Sequence, residues 1–158
     1  SHDDRTAGGR ADWRARGATI AEFPETEEAA LAAHEAGDAV VLGAPNVLRG
    51  GSHRGNASAR DLIASGHCAA LASDYHYPAP AIAALRLARE GVLGLGAAWA
   101  LVSAGPAGAL GLSDRGALAP GLRADLVAVE AETGRIALTM AGGAVTHLAG
   151  PLARRLIG

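Results

Sequence analysis

Short apolar segments alternate with helix-like segments along most of this 158-residue chain. Ala18–Phe23, Ala39–Leu42 and Cys68–Ala72 have the composition of strands, and they are apolar throughout rather than at every second position. Uniformly apolar strands are typical of a parallel sheet that is covered on both faces. Parallel strands also need long crossover connections, which the intervening helices would supply. The alternation therefore predicts an α/β fold.

The helix-like segments carry recognisable start and stop signals. Thr26–Ala36 opens with a capping threonine and acidic residues, and Gly37 ends it. Ser58–Ser65 begins with a Ser-x-x-Asp pattern of the capping-box type, and Gly66 ends it. Further helices are predicted over Ala11–Arg16, Pro80–Glu90 and Leu95–Ser103.

The last part of the chain has a different pattern, that of a small antiparallel sheet. Turn signals at Thr133-Gly134 and Gly142-Gly143 separate three short β-prone runs, and Pro120-Gly121 precedes them. The predicted strands are Asp125–Glu130, Arg135–Met140 and Ala144–His147. We therefore expect an α/β unit over residues 1–119 and a β-rich segment over residues 120–158.

Composition excludes several classes of function. The formal net charge is −2, so the chain lacks the basic surface that general nucleic-acid binding requires. Its single cysteine, Cys68, excludes an internal disulfide framework and favours a reducing, cytoplasmic compartment. The sequence indicates no membrane span, and a homo-oligomer is compatible with it. Because it opens on Ser1-His2-Asp3-Asp4 without a methionine, we expect a fragment of a longer protein.

Polar residues follow the predicted strands in three places. They are His2-Asp3-Asp4, the segment Gly43–Asn56, and Ser73-Asp74-Tyr75-His76. If the strands are parallel, all three clusters lie on one face, where α/β proteins place their sites. Histidine and aspartate are ligands for zinc or manganese, and a carboxylate can accept a proton from metal-activated water. His2 and Asp74 are thus candidate metal ligands, Asp74 is the candidate catalytic residue, and Glu22 is a lesser candidate.

Gly43–Asn56 is predicted to be a glycine-rich loop that binds phosphate. Glycines let backbone N–H groups approach a ligand, and arginines present forked donors to phosphate oxygens. The candidate substrate-binding residues are Asn46, Arg49, Ser52, His53, Arg54 and Asn56. A Ser52–His53 nucleophile is disfavoured because adjacent side chains seldom face each other and no nucleophile elbow is present.

Each assignment has a simpler alternative. His2 could be incidental, Asp74 could be a helix N-cap, and the two loop arginines could be solvated. We expect structural roles for the remaining histidines and the cysteine, namely His34, His67, His147 and Cys68.

The chain resembles one branch of the amidohydrolase superfamily, the α-D-ribose 1-methylphosphonate 5-triphosphate diphosphatases of the carbon–phosphorus lyase pathway. The resemblance is carried by Ser-His-Asp-Asp, Ala21-Glu22-Phe23-Pro24, Gly-Ala-Pro-Asn with Arg-Gly-Gly-Ser-His, and Ala72-Ser73-Asp74-Tyr75. A tail motif, Pro120-Gly-Leu-Arg-Ala-Asp-Leu-Val, is similar to the general signature of the superfamily.

This resemblance implies the C-terminal half of a (β/α)8 barrel, about strands five to eight, followed by strands of a small composite β-sandwich. It also implies a divalent metal, with zinc as first choice and manganese as second. His2 would be the metal ligand from the fifth strand, and Asp74 the eighth-strand aspartate that binds metal and activates water. The implied reaction is hydrolysis of a small phosphorylated substrate, the ribose triphosphate, to its 5-phosphate and pyrophosphate.

The sequence departs from the superfamily pattern in lacking the His-x-His pair of the first strand and the residues of strands one to four. A half barrel has open edges and an uncovered inner face, so we expect this length of chain to be inactive by itself. Two alternatives stay open: an amidohydrolase that acts on a cyclic amide or deaminates a base, and a non-catalytic phosphate-binding module.

Overall fold

The computed structural model describes residues 1–50 and 58–157. Within those ranges the helices are α1 Ala7–Ala15, α2 Glu27–Glu35, α3 Ala44–Arg49, α4 Ala59–Ala64, α5 Ala79–Arg89, α6 Leu95–Ala100, α7 Ala104–Ala109 and α8 Gly150–Ile157. The strands are β1 Ile20–Glu22, β2 Ala39–Gly43, β3 Ala70–Ala72, β4 Leu126–Val129, β5 Ile136–Ala141 and β6 Ala144–Leu148. The α/β fold that the alternation predicts is confirmed.

Strands β1, β2 and β3 form a parallel sheet in that order. The first residues of the chain extend it, because His2 pairs in parallel with Glu22 and the Asp3 amide donates to the Glu22 carbonyl at 3.1 Å. Four extended segments therefore run side by side in one direction. The sheet follows chain order without a reversal, which brings the carboxyl ends of neighbouring segments to one edge.

The two faces of this sheet differ in what covers them. One face carries Ala21, Val40 and Leu42, which are buried in the main hydrophobic core with residues of the surrounding helices. On the opposite face Glu22, Val41 and Ala72 line a cavity of about 400 Å³. This face is therefore not fully covered within the described residues, and the expectation of a sheet covered on both faces is wrong there.

The second sheet has the order β4-β5-β6 and is antiparallel throughout. Glycines with positive φ occupy both predicted turns: Gly134 at 74° lies between β4 and β5, and Gly142 at 57° follows β5. Left-handed backbone of this kind costs glycine least, which explains the sequence signal. The three predicted strands and their turns are confirmed, while helix α8 was not predicted.

Two helices depart from the sequence expectations. The predicted loop Gly43–Asn56 begins with helix α3, so its first half is not a loop. Pro45 in the first turn of α3 favours a helix start because its ring fixes φ and its missing N–H has no partner there. The predicted helix Leu95–Ser103 ends early at Ala100, and α7 follows it. The apolar stretch Gly91–Leu112 predicts buried helices, but the low helix propensities of Gly105, Pro106 and Gly108 leave the bounds of α7 unassigned.

Gly105 allows α7 to pack directly on the sheet. A Cβ atom at this position would lie 1.9 Å from the carbonyl oxygen of Ala69, just before β3. A Cβ at Gly108, in the same helix, would meet nothing within 4 Å. Substitutions at these two glycines therefore distinguish the effect of a steric clash from the effect of helix propensity.

Gly105→Ala is expected to lower the free energy of unfolding by about 2–3 kcal/mol, because a backbone oxygen cannot move aside as a side chain can. Gly108→Ala is the matched control and should raise it by about 0.5–1 kcal/mol through helix propensity. Denaturant unfolding of the protein measures both changes in the free energy of unfolding. Equal effects of the two substitutions would contradict the close packing of α7.

A buried ion cluster ties α1 to the sheet. The Arg10 guanidinium donates to Asp38 Oδ2 from Nη2 at 2.6 Å and from Nε at 3.1 Å. Its Nη1 donates to Ser1 Oγ at 2.6 Å and lies 3.7 Å from Asp4 Oδ2. The side chains of Arg10, Asp4 and Asp38 are almost fully buried. The cluster therefore fixes the segment that carries His2 against α1 and the start of β2.

None of the helices in the described ranges has the length and apolar character needed to cross a membrane.

Candidate functional site at the carboxyl edge of the parallel sheet

The carboxyl ends of four parallel segments bring the candidate residues to one edge of the sheet. Glu22 is level with Val41, and Gly43 is level with Ala72, so the ends of β1, β2 and β3 are adjacent. His2 lies beside Glu22 on the outer side of β1. The sequence expectation that the polar clusters share one face is borne out for the residues that the structure describes.

His2 is held at this edge by three neighbours. Its Nδ1 lies 3.1 Å from Asp3 Oδ2, and its Nε2 lies 3.9 Å from Glu22 Oε2. Its ring packs edge-on against Phe23, with 5.5 Å between centroids. The side chain remains more than half exposed. This environment leaves the imidazole accessible from the open side of the sheet, with acidic groups close to both nitrogens.

Asp74 lies in the turn that follows β3 and is exposed. It does not cap a helix, because α5 begins at Ala79 and its N-cap residue is Pro78. The N-cap alternative for Asp74 is therefore wrong. An exposed carboxylate after the last strand of the parallel sheet is available to bind a cation or to accept a proton.

Strained backbone marks the same edge. Asp3, Phe23 and Asp74 have positive φ angles of 56°, 54° and 51°, and they are the non-glycine residues of the described chain in that region. Asp3 and Phe23 come directly after the end of an extended segment, and Asp74 comes two residues after the end of β3. Left-handed backbone is unfavourable for non-glycine residues, above all for Phe, and such strain tends to collect at functional sites. No sequence pattern announces these angles, so this signal appears only in the structure.

Asn46 and Arg49 form the next part of the edge. They lie three residues apart on the exposed side of α3, and Arg49 Nη2 donates to Asn46 Oδ1. The Arg49 guanidinium carbon lies 6.0 Å from the ring centroid of Tyr75, a cation–π distance. Sequence reasoning identified both α3 residues and placed Tyr75 in the cluster with Asp74 but gave it no role, because only the fold brings it beneath Arg49.

Gly43 lies next to both Phe23 and Asn46 at this edge. A Cβ atom there would come within 3.2 Å of Asn46 Nδ2 and 3.7 Å of Phe23 Cε1. The absence of a side chain thus lets Asn46 and Phe23 close over the end of β2. Gly43 thus separates two contact pairs at this edge, His2 with Phe23 and Asn46 with Arg49.

The other predicted substrate-binding residues, Ser52, His53, Arg54 and Asn56, lie outside the described residues. Their phosphate-binding role stays a prediction.

Metal-binding chemistry is represented only in part. The described ranges contain no group of three or more His, Cys, Asp or Glu side chains that could together hold a metal ion. The donor types at the edge are nonetheless those that zinc and manganese accept: the imidazole of His2 and the carboxylates of Glu22 and Asp74. These residues suit a share of a metal site rather than a whole one.

Residues away from the edge have structural roles. Burial raises the pKa of the Cys68 thiol to about 12, so it stays protonated at neutral pH and is a poor nucleophile. The pKa of Asp125, in the tail motif, is lowered chiefly because the Gly142 amide donates to its carboxylate at 2.7 Å, with Arg123 adding a second bond. Asp125 therefore anchors the β5–β6 turn beside the start of β4.

Comparison with known proteins agrees with this geometry. The pattern of the amidohydrolase family matches residues 9–146. Over 130 residues the chain is 48% identical to the α-D-ribose 1-methylphosphonate 5-triphosphate diphosphatase of Escherichia coli strain K12. That match covers 80% of this chain and 34% of the relative, so the chain spans about a third of the relative's length.

Solved structures with the same fold include three relatives of low sequence identity. An uncharacterized protein superimposes with a TM-score of 0.67 at 20% identity, covering 94% of this chain and 45% of its own. An amidohydrolase follows at 0.63 and 19%, covering 94% and 44%. An amidohydrolase from Thermotoga maritima MSB8 gives 0.53 at 17%, covering 82% and 43%. From the family match and the shared fold, we conclude that this chain belongs to the amidohydrolase family.

Proposed function

We propose that this chain is the C-terminal part of a metal-dependent diphosphatase. The reaction would be hydrolysis of α-D-ribose 1-methylphosphonate 5-triphosphate to the 5-phosphate and pyrophosphate, in phosphonate catabolism. The observation that carries the proposal is the 48% identity to the E. coli protein of that name. Anion-binding side chains next to possible metal donors at one sheet edge support the same chemistry.

In this proposal the parallel sheet is the second half of a barrel, over residues 1–119, and residues 120–158 belong to a composite β-sandwich. The open inner face of the sheet supports that arrangement, since a barrel closes over it. The relatives are two to three times longer than the region they share with this chain, which leaves length for the other half. The remaining metal donors would then come from outside the described residues.

His2 and Asp74 would hold the metal, with Glu22 next to His2. A divalent metal in such a position lowers the pKa of water and offsets charge on phosphoryl oxygens. Asp74 would accept the proton of the attacking water, because its carboxylate is exposed at the end of β3. Asp3 would orient His2 through the 3.1 Å contact to Nδ1, which leaves Nε2 for the site.

Arg49 would bind the triphosphate. Its guanidinium stands on the same edge as Asp74, and Asn46 holds one of its nitrogen atoms in place. A fixed, forked cation of this type binds phosphate oxygens through two N–H groups and offsets the charge that develops on the leaving pyrophosphate. Ser52, His53, Arg54 and Asn56 would add donors from the segment that follows α3.

The test is pyrophosphate release by the natural polypeptide that carries this chain. With the ribose triphosphate as substrate, we expect stoichiometric pyrophosphate and 5-phosphate, loss of activity on exhaustive chelation, and recovery with zinc or manganese. Nucleobases and cyclic amides serve as alternative substrates in parallel. Release of ammonia or opening of a cyclic amide, with the triphosphate left intact, would replace the diphosphatase by another amidohydrolase activity.

A further inference from the structure

Both tyrosines of this chain lie in one short loop at the candidate site. The sequence contains two tyrosines, Tyr75 and Tyr77, and both belong to the connection between β3 and α5. They are 66% and 86% exposed, although aromatic rings usually bury most of their surface. Tyr75 follows Asp74 directly. Exposed aromatic rings beside a candidate catalytic carboxylate call for a role other than core packing.

Tyr75 differs from Tyr77 in what it contacts. The guanidinium of Arg49 lies over the Tyr75 ring, 6.0 Å from its centroid. Within the described ranges no such contact is made by the ring of Tyr77. The contact joins α3 to the loop after β3 at this edge of the sheet.

The base of Arg49 is fixed independently of Tyr75. Arg86 of α5 donates from Nη1 to the Leu48 carbonyl at 2.6 Å, which holds the last turn of α3. Asn46 Oδ1 then accepts from Arg49 Nη2. The Tyr75 ring adds a further contact, with its centroid 6.0 Å from the guanidinium carbon. A contact through the flat face consumes no N–H group, so it orients the cation without competing for its hydrogen bonds.

We propose that Tyr75 is a positioning residue that holds the Arg49 guanidinium in the orientation that binds a polyphosphate anion. The inference rests on the proposed function only for the identity of the anion as a triphosphate ester. Binding of inorganic tripolyphosphate tests it without any hydrolysis. The ring face carries the effect, so the tyrosine hydroxyl should be dispensable.

The experiment compares four variants of the natural polypeptide by calorimetric titration with inorganic tripolyphosphate. Tyr75→Leu is expected to raise the Kd about fivefold, the size of an exposed cation–π contact. Tyr75→Phe and Tyr75→Trp keep a ring and should stay within about twofold of the parent. Tyr77→Leu removes an equally exposed ring from the same loop and should leave the Kd unchanged. Thermal unfolding of all four checks that the loop variants fold.

Steady-state kinetics with the ribose triphosphate supply a second readout. Tyr75→Leu should lower kcat/KM about fivefold and Tyr75→Phe should keep the parental value, because Arg49 binds the polyphosphate of the substrate and also offsets charge in the transition state. Equal Kd values for Tyr75→Leu and Tyr75→Phe, or no tripolyphosphate binding by the parent, would overturn the role of Tyr75. Failure of the parent to release pyrophosphate, with ring-dependent tripolyphosphate binding intact, would instead reject the proposed reaction.

Discussion

Asp74→Asn is expected to lower kcat for pyrophosphate release by about a thousandfold or more in the natural polypeptide, with little change in stability. Asparagine has nearly the same shape as aspartate, but its amide can neither accept the water proton nor carry the negative charge that a metal ligand supplies. It also tolerates the positive φ of 51° at this position, so the turn after β3 should persist. The loss would therefore be chemical rather than conformational.

Two measurements and two further variants separate the parts of this prediction. Metal content of the purified variant shows how far Asp74 binds the ion, and kcat shows how far it acts on water. Asp12→Asn, at an exposed position of α1, is the control and should keep parental activity. Asp3→Asn acts on the site only through His2 and should cost about ten- to a hundredfold, as is usual for a residue that orients a metal ligand. If Asp74→Asn kept more than about a tenth of the activity, Asp74 would not be the general base.

The parallel sheet could be predicted because its signal is local. Each strand of this sheet is a mainly apolar run. Helices α2 and α4 begin at capping residues: Thr26 accepts a hydrogen bond from the Ala29 amide, and Ser58 accepts one from the Asp61 amide. The alternation with helices predicts parallel pairing. Parallel pairing in turn places His2 and Asp74 at the same edge of the sheet. Pattern and topology together were enough to locate the edge, though not its side-chain geometry.

What the sequence could not supply depends on contacts between distant residues. Gly105 lets helix α7 pack close to the Ala69 carbonyl, and no scale of helix propensity registers such a contact. From the sequence Tyr75 is an ordinary loop residue, and only the packing of α3 places Arg49 over its ring. The glycines of Gly43–Asn56 predict a loop throughout, although Pro45 in the first turn favours the helical start that the structure has. In each case tertiary packing decided what local composition left open.

Asp38→Ala is expected to lower the free energy of unfolding by about 3–5 kcal/mol, one of the largest effects available in this chain. The substitution removes the carboxylate that accepts two hydrogen bonds from Arg10, at 2.6 and 3.1 Å, and a third from Arg14. Arg14 is partly exposed and can turn to water, but the Arg10 side chain is 1% exposed. Without Asp38, the buried Arg10 guanidinium keeps Asp4, at 3.7 Å, as its remaining acidic partner in the cluster.

The cost of that substitution should come from the stranded charge and not from the loss of an attractive pair. Removing the Arg10–Asp38 pair, in Arg10→Met combined with Asp38→Ala, is therefore expected to recover only part of the stability lost by Asp38→Ala alone, because the buried Asp4 carboxylate then loses its contact with Arg10. Glu25→Ala breaks the exposed Arg5–Glu25 pair and serves as the control, with little expected effect. Denaturant unfolding of the parent protein and of these three variants gives the four free energies of unfolding.

The same cluster also connects stability to the candidate site. Arg10 reaches Ser1 Oγ and the Asp4 carboxylate, on either side of His2, so it fixes the outermost segment of the parallel sheet. Asp38→Ala should therefore loosen His2 before it unfolds the rest of the chain, and hydrogen exchange at the Asp3 amide, which donates to the Glu22 carbonyl, should report this. Exchange that accelerates uniformly along all four parallel segments would show instead that the cluster stabilises the sheet as a whole and has no special hold on the histidine.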